Sequence, residues 1–263
     1  DTLKVKHVPA PCCVIGANAQ ANLDLIQRIV AEGHELGNHT YTHPNLADTP
    51  RQVDAIELNA TQRLVEALTG RSMRLFRPPY LGDNEPGDPG DIIPVQIAQK
   101  MGYLTVGERV DPIDWALPGA DAIVQRTLAQ VARAPENGNT ILLHDAGGDR
   151  SQTVAALPDL IDQLRAKGYK FVPASTLAGL TLEQSMPRLP LTIALLNDRV
   201  VFLAMSWAGH LLYYAFLAAI WFGVSRLFFL AGLSLWNVRR ERRQAVATRP
   251  DTRHVWVHVR ACQ

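Results

Sequence analysis

Short apolar runs alternate with helical apolar stripes through the first 180 residues, and this alternation is the strongest constraint on the fold. Strand-like runs occur at 11–16, 104–108, 140–145 and 170–175. Stripes with apolar residues three or four positions apart occur at 23–30, 53–68, 123–131 and 157–164. Because strands that alternate with helices form parallel sheets covered by helices, the sequence predicts an α/β fold.

Roughly five or six such units in this length predict a (β/α) barrel that is smaller than the usual one of about 250 residues. In such barrels, the residues that perform chemistry collect at the carboxyl ends of the strands. Four polar motifs fall at these predicted ends: NHTYTH (38–43), RPPY (77–80), DPIDW (111–115) and LLHDAGGD (142–149). We therefore expect them to share one rim.

The composition excludes some classes of protein. Hydrophobic residues make up 47% of the 263 residues and charged residues 19%, which is enough apolar material for a core. The net charge of +1 gives no indication of nucleic-acid binding. The three cysteines are an odd number and do not form a disulfide framework.

The most apolar part of the chain runs from Val200 to Trp236. A membrane-spanning helix needs about 20 mostly apolar residues, whereas a buried core helix, the alternative, seldom exceeds about 25. Trp207, Trp221 and Trp236 suit interfacial depths, and the arginines of NVRRERR (237–243) favour a cytoplasmic end. We predict a transmembrane segment, with residues 1–198 outside if it crosses once; the pattern leaves open one crossing or a hairpin.

His39 and His43 stand four residues apart, before Pro44. Two imidazoles at this spacing can converge on one Zn²⁺ ion, and a catalytic zinc site uses three protein ligands and an open position for water. Taken alone, the pair fits two surface histidines on a loop at least as well. Taken alone, His144 is also consistent with a structural histidine, and Asp114 with a turn residue. Arg77, which precedes two prolines, is consistent with a simple exit from a strand into a loop.

The four motifs in this order resemble the polysaccharide deacetylase family, the NodB-homology domains of carbohydrate esterase family 4. The resemblance covers roughly residues 3–180 and implies an incomplete (β/α) barrel, distorted from the TIM type in the NodB manner. It implies metal-dependent hydrolytic N-deacetylation of an N-acetylated polysaccharide, with a divalent metal, most simply Zn²⁺, as cofactor.

The resemblance also implies a role for each matching residue. His39 and His43 match metal ligands, and His144 matches the general acid. Asp114 matches the aspartate that tunes this acid, and Arg77 the arginine that orients the catalytic base. The substrate and oxyanion positions are matched by Tyr80, Leu142 and Trp115.

One motif of the family is absent from this sequence. The family's third metal ligand and its base come from a T-F-D-D-G-P motif that would lie before Asp1, so we expect a fragment that lacks the base. Asp145 and Asp149 are weaker alternatives as carboxylate donors, because no family motif places a ligand there. A catalytically inactive glycan-binding or structural remnant, and a small membrane adaptor, therefore remain alternatives.

The resemblance and the apolar stretch together predict four regions: a deacetylase domain over 1–180, a linker over 181–199, a transmembrane segment over 200–236 and a basic cytoplasmic tail over 237–263. The expected location is a bacterial inner or plasma membrane, with the deacetylase domain extracytoplasmic. The order of segments after residue 180 resembles bacterial proteins in which a deacetylase domain precedes a membrane-bound family 2 glycosyltransferase. Expected partners are the polysaccharide, membrane lipid and a glycosyltransferase in the same pathway or parent chain.

Overall fold

The structure is a computed structural model, and it describes residues 1–80, 89–133 and 140–247. The chain divides into two units, of which the first is Asp1–Ser206 and the second begins at Trp207. The boundaries predicted at residues 180, 199 and 236 stay predictions. The part of the predicted tail beyond residue 247 lies outside the described residues.

A parallel sheet of four strands forms the centre of the first unit. Its strands, in spatial order as well as chain order, are β1 Pro11–Val14, β2 Glu35–Asn38, β3 Leu75–Phe76 and β4 Leu104–Thr105. The register places Val14 beside Asn38, and Asn38 beside Phe76. His39 and Arg77, which follow β2 and β3, therefore leave the sheet at the same edge. The predicted α/β class with a parallel sheet is confirmed; closure into a barrel stays a prediction.

Ten α-helices occur among the described residues: α1 Thr2–Lys6, α2 Gly16–Ala21, α3 Leu23–Ala31, α4 Arg51–Thr69, α5 Pro89–Lys100, α6 Ala120–Val131, α7 Ser151–Ala166, α8 Ala174–Leu177, α9 Leu182–Ser185 and α10 Ile193–Ala247. A 3-10 turn covers Asp114–Ala116. The helices predicted from the four apolar stripes are α3, α4, α6 and α7. At the end of α4, Gly70 takes the left-handed conformation (φ 65°) that glycine favours.

Among the described residues, three clusters of buried apolar side chains hold the first unit together. The largest joins β2 to α3 and α4 and includes Ile26, Leu36, Leu64 and Met186. The second lies between α6 and α7, and the third surrounds Phe76 and Tyr103. Met186 and its neighbour Ser185 are buried, so part of the predicted linker packs in the first unit.

Two predicted strands are wrong. The run 140–145 makes a single parallel bridge, between Ile141 and Val110. The pairing cannot extend, because the Asp111 N–H donates to Gln130 and Pro112 has no N–H. The run 170–175 forms no strand, since Pro173 precedes α8 and the backbone turns into that helix.

The apolar stripe predicted for α4 is wrong in its first half. Val53 and Ile56 are exposed, with Ile56 at 65%. The polar residues Asp54 and Glu57 face inward instead, and both accept hydrogen bonds from the preceding loop. The face of α4 that turns inward here is therefore decided by loop donors that need an acceptor, and not by the apolar periodicity of the helix.

Helix α10 continues into the second unit. It has 55 residues, and by length and composition it could cross a membrane. It runs as one continuous helix through the stretch that the sequence left open as one crossing or a hairpin. The large apolar side chains of this helix from Trp207 to Val238 are exposed.

Candidate active site

His39 stands directly after β2, at the carboxyl edge of the sheet. Its backbone N–H donates to the Val14 carbonyl (3.1 Å), and its ring Nδ1 lies 2.7 Å from the Arg77 carbonyl. Because a carbonyl oxygen only accepts, Nδ1 carries the proton and Nε2 keeps a free lone pair. Burial lowers the pKa of His39 to about 4, so the ring is neutral at pH 7.

A tight loop brings the His43 ring close to the His39 ring. The two ring centroids lie 4.8 Å apart at an interplanar angle of 74°. Burial lowers the pKa of His43, and the nearby charge of His144 acts in the same direction. The structure therefore brings the two predicted ligands together as neutral imidazoles, the form in which histidine binds a metal.

The prolines of RPPY are buried and lead to Tyr80. Tyr80 has a positive φ of 58°, and its ring centroid lies 4.8 Å from that of His43. A non-glycine residue in this conformation indicates a backbone held by its surroundings. Tyr80 thus borders the histidine pair, and its side chain is exposed.

Arg77 forms an ion pair with Glu108, a residue that the sequence analysis did not single out. Glu108 is only 2% exposed, and a buried carboxylate needs a charged partner. The signal for it was its position after β4, on the same sheet edge as His39 and Arg77. Among the described residues, Glu108 is therefore the carboxylate that Arg77 meets.

Asp114 and His144 form the second part of the site. Asp114 Oδ1 lies 2.7 Å from His144 Nδ1, and Oδ2 accepts the His144 backbone N–H at 2.8 Å. The Asp114 carboxylate is fully buried. It fixes the ring so that Nε2 points away from the aspartate, which suits an acid or base.

The first turn of α7 supports this pair. Thr153 Oγ1 donates to Asp114 Oδ2 at 2.8 Å, and Gln152 Oε1 accepts the Gly119 N–H. The guanidinium of Arg150 donates to the Trp115 carbonyl and to the carbonyls of Ala146 and Gly147. These contacts join the DPIDW loop to the loop after His144, and sequence spacing gave no signal for them.

The remaining predicted residues lie on the same two loops. Trp115 follows Asp114 in the 3-10 turn, and its side chain is exposed. Leu142 donates its N–H to the Val110 carbonyl at 2.9 Å, two residues before His144. Both neighbour the Asp114–His144 pair in the chain.

Metal binding fits the histidine pair only in part. Two neutral imidazoles, one with its Nδ1 proton committed to a carbonyl, match two zinc ligands. Among residues 1–80, 89–133 and 140–247, no group of three histidine, cysteine or acidic side chains is close enough to hold an ion. The described residues thus offer two candidate ligands, one fewer than the three protein ligands usual for a catalytic zinc site.

Comparison with known proteins identifies the class. A family model described as polysaccharide deacetylase matches residues 1–106. A peptidoglycan-N-acetylglucosamine deacetylase of Bacillus cereus is 35% identical over 184 residues, which cover 67% of this chain and 78% of the relative. A chitooligosaccharide deacetylase of Sinorhizobium fredii is 40% identical over 180 residues, covering 64% and 79%.

Solved structures agree with these relatives. The Bc1960 peptidoglycan N-acetylglucosamine deacetylase superposes with a TM-score of 0.61 at 31% identity, covering 69% of this chain and 80% of the other. A mutant of BA3943, a family 4 pseudoenzyme with restored activity, gives a TM-score of 0.57 at 34% identity, covering 67% and 59%. The chain belongs to the polysaccharide deacetylase family, a family of hydrolases that act on N-acetylated carbohydrates.

Proposed function

We propose that this chain carries the metal-dependent N-deacetylation site of a membrane-anchored enzyme that acts on an N-acetylated polysaccharide. The observation that carries the proposal is the pair of neutral imidazoles of His39 and His43, 4.8 Å apart at the sheet edge. Relatives named for peptidoglycan and for chitooligosaccharides support an N-acetylhexosamine chain as substrate, without favouring one polymer.

In this proposal, the His39 and His43 imidazoles hold a divalent ion, with zinc favoured by the ligand type. When bound, such an ion lowers the pKa of water toward about 7 and polarises a carbonyl. The backbone at Tyr80 is rigid after two prolines and is suited to donate an N–H to a developing oxyanion. Leu142 forms a wall of the pocket that receives the acetyl group, and Trp115 acts as the packing partner in the Asp114–His144 half of the site.

His144 supplies the proton that the leaving amine needs. Its Nδ1 is committed to Asp114, so its Nε2 is the nitrogen that gives and regains the proton. The buried carboxylate stabilises the imidazolium and holds the ring in one orientation. The role of Arg77 in orienting a base stays a prediction, since the described residues show its guanidinium paired with Glu108.

A second candidate function is a non-catalytic glycan-binding module. The absence of a three-ligand group among the described residues favours it, and a pseudoenzyme is among the structural relatives. In this case the site loops and the fold are retained, but acetate release is absent. The two functions make opposite predictions for the same experiment.

The experiment measures bound zinc and acetate release from an N-acetylglucosamine oligomer, using the full chain with and without chelator. Stoichiometric zinc with chelator-sensitive acetate release supports the enzyme. If the chain shows neither bound zinc nor acetate release, the binding module is the remaining candidate. His39→Ala or His43→Ala should abolish zinc binding. His144→Ala should retain zinc but decrease the rate by about 10²–10⁴; equal zinc loss in all three variants would contradict these roles.

Membrane anchoring is supported by the geometry of α10. Trp207 and Trp236 are 29 residues apart, which in a helix corresponds to about 43 Å, close to the ~40–45 Å of a bilayer with its headgroups. The Arg240 guanidinium lies 5.9 Å from the Trp236 ring centroid, a pairing suited to the headgroup region. With the arginine end cytoplasmic, the deacetylase unit would lie outside the cytoplasm. Release from membranes by alkaline carbonate would contradict this proposal.

A further inference from the structure

The loop between His39 and His43 has its backbone donors satisfied one by one. Asn38 Oδ1 accepts the Thr40 N–H at 3.0 Å, and Thr40 Oγ1 accepts the His43 N–H at 3.1 Å. The two donors between them, the N–H groups of Tyr41 and Thr42, have no acceptor within the loop. Both reach outside it to a single side chain.

That side chain is Glu57 of α4. Its Oε2 accepts the N–H groups of Tyr41 and Thr42, each at 2.7 Å, and its Oε1 accepts the Thr42 hydroxyl at 2.8 Å. Glu57 is 9% exposed. One buried carboxylate therefore receives three hydrogen bonds from the loop, and charge-assisted bonds of this kind are stronger than neutral ones.

The conformation of the loop explains why such an anchor is needed. Thr40 and His43 both have positive φ, at 67° and 62°, and neither is glycine. A non-glycine residue in this conformation is strained and keeps it only where the surroundings hold it. Glu57 binds the two residues between these strained positions, so it acts where the loop would otherwise relax.

We propose that Glu57 is a positioning residue for the metal site: by binding the Tyr41 and Thr42 N–H groups, it fixes His43 against His39. This inference rests on the proposed function, in which the two imidazoles hold the ion. Glu57 acts through the loop and does not itself contact the metal. Its loss should weaken metal binding while the core of the protein stays folded.

The test uses the full chain in mild detergent, Zn²⁺ as the probe and titration calorimetry as the readout. Glu57→Ala should weaken zinc binding by about 10- to 100-fold, the usual cost of removing a side chain that orients a metal ligand. Glu57→Gln should restore much of the affinity, because one amide oxygen can still accept both N–H groups. If Glu57 had only a structural role, the alanine and glutamine variants would have the same zinc affinity whenever they were equally stable.

Ile123→Ala provides the matched control. Ile123 is a fully buried residue of α6, and the described members of its core cluster include none from the loop between His39 and His43. The alanine variant should unfold at a lower urea concentration but keep its zinc affinity at temperatures where it is folded. Equal zinc loss in Glu57→Ala and Ile123→Ala would overturn the inference.

Hydrogen exchange separates this inference from the proposed function. The Tyr41 and Thr42 amides should be protected in metal-free wild-type protein and exposed in Glu57→Ala, with no change in Ile123→Ala. If wild-type protein binds no zinc, the proposed metal site fails, and this pattern alone decides whether Glu57 holds the loop. Unprotected Tyr41 and Thr42 amides in the wild type would overturn the inference in either case.

Discussion

The loop of His39 and His43 is held by several elements, whereas His144 is held through one aspartate. Carbonyls at Thr40 and Tyr41 accept the N–H groups of Gly16 and Ala17, which begin α2. Other loop contacts come from β1 and α4. By contrast, the ring Nδ1 and the backbone N–H of His144 both form hydrogen bonds to Asp114, one to each carboxylate oxygen.

This difference separates two ways of making a site rigid. Where several elements hold a loop, the loss of one neutral contact is shared by the others, although the loss of Glu57 would remove three hydrogen bonds at once. Where one buried carboxylate satisfies two donors of the same residue, its loss leaves both without a charged partner. We expect the Asp114–His144 pair to be the more sensitive half.

Asp114→Asn should have the largest effect on activity. The amide cannot stabilise an imidazolium on His144 and favours the wrong ring tautomer, so deacetylation should fall by about 10²–10⁴. Zinc content should remain that of the wild type, because Asp114 lies in the other half of the site. Acetate release and zinc analysis on the same sample check both statements. Zinc loss with Asp114→Asn would show that the two halves are not separate.

The pH dependence of stability should reveal the burial of His39. The pKa of His39 is about 4 in the folded protein, below the ordinary 6.5. Between these two pH values, the folded state therefore binds fewer protons than the unfolded state. Stability is therefore fully present above pH 6.5 and is lost as the pH falls toward 4, by about 3 kcal/mol. Urea unfolding in chelator should show this loss in the wild type and a flatter profile in His39→Gln. Parallel profiles would contradict the burial of the ring.

Gly16→Ala should disturb the histidine loop through shape alone. A Cβ at this position would overlap the Tyr41 ring and lie 2.5 Å from Thr61 Oγ1. Such overpacking typically costs about 1–3 kcal/mol. Gly107→Ala is a matched control, because an added Cβ there meets no atom of the described residues within 4 Å. Similar unfolding free energies for the two variants would show that the loop shifts to accommodate the added Cβ more easily than its contacts indicate.

The sequence predicts the parts of this fold that depend on local patterns. Apolar stripes locate α3, α4, α6 and α7, and the alternation of elements gives the parallel sheet. The motifs also place candidate residues correctly at strand ends: His39 follows β2, and Arg77 follows β3. These successes depend on periodicity and on the geometry of parallel strands, both of which are visible in a single chain.

What the sequence misses depends on partners that lie far along the chain. Ile56 is apolar and on the predicted stripe, yet Glu57 occupies the inward position because loop donors 15 residues earlier need an acceptor. The run around Leu142 is as apolar as a strand, but Pro112 across from it cannot extend the pairing. Glu108 follows β4 at the same edge of the sheet, but only its ion pair with Arg77 marks it as a site residue. In each case a tertiary hydrogen bond or ion pair decides the outcome.

Thr153→Val should have the smallest effect, and it tests how far the dependence on Asp114 extends. Burial acts to raise the pKa of Asp114, but hydrogen bonds from His144 and from the Thr153 hydroxyl outweigh it and lower the pKa below 3.8. This carboxylate therefore stabilises the folded state above its ordinary pKa, and the contribution is lost as the pH falls. Valine keeps the shape of threonine but removes one of the donors, so we expect a loss of about 1 kcal/mol at neutral pH and acid unfolding at a higher pH. Thr153→Ser retains the hydroxyl and should unfold in acid as the wild type does. If valine and serine behave alike, Asp114 is held by His144 alone, and the contrast between the two halves of the site is sharper than the structure indicates.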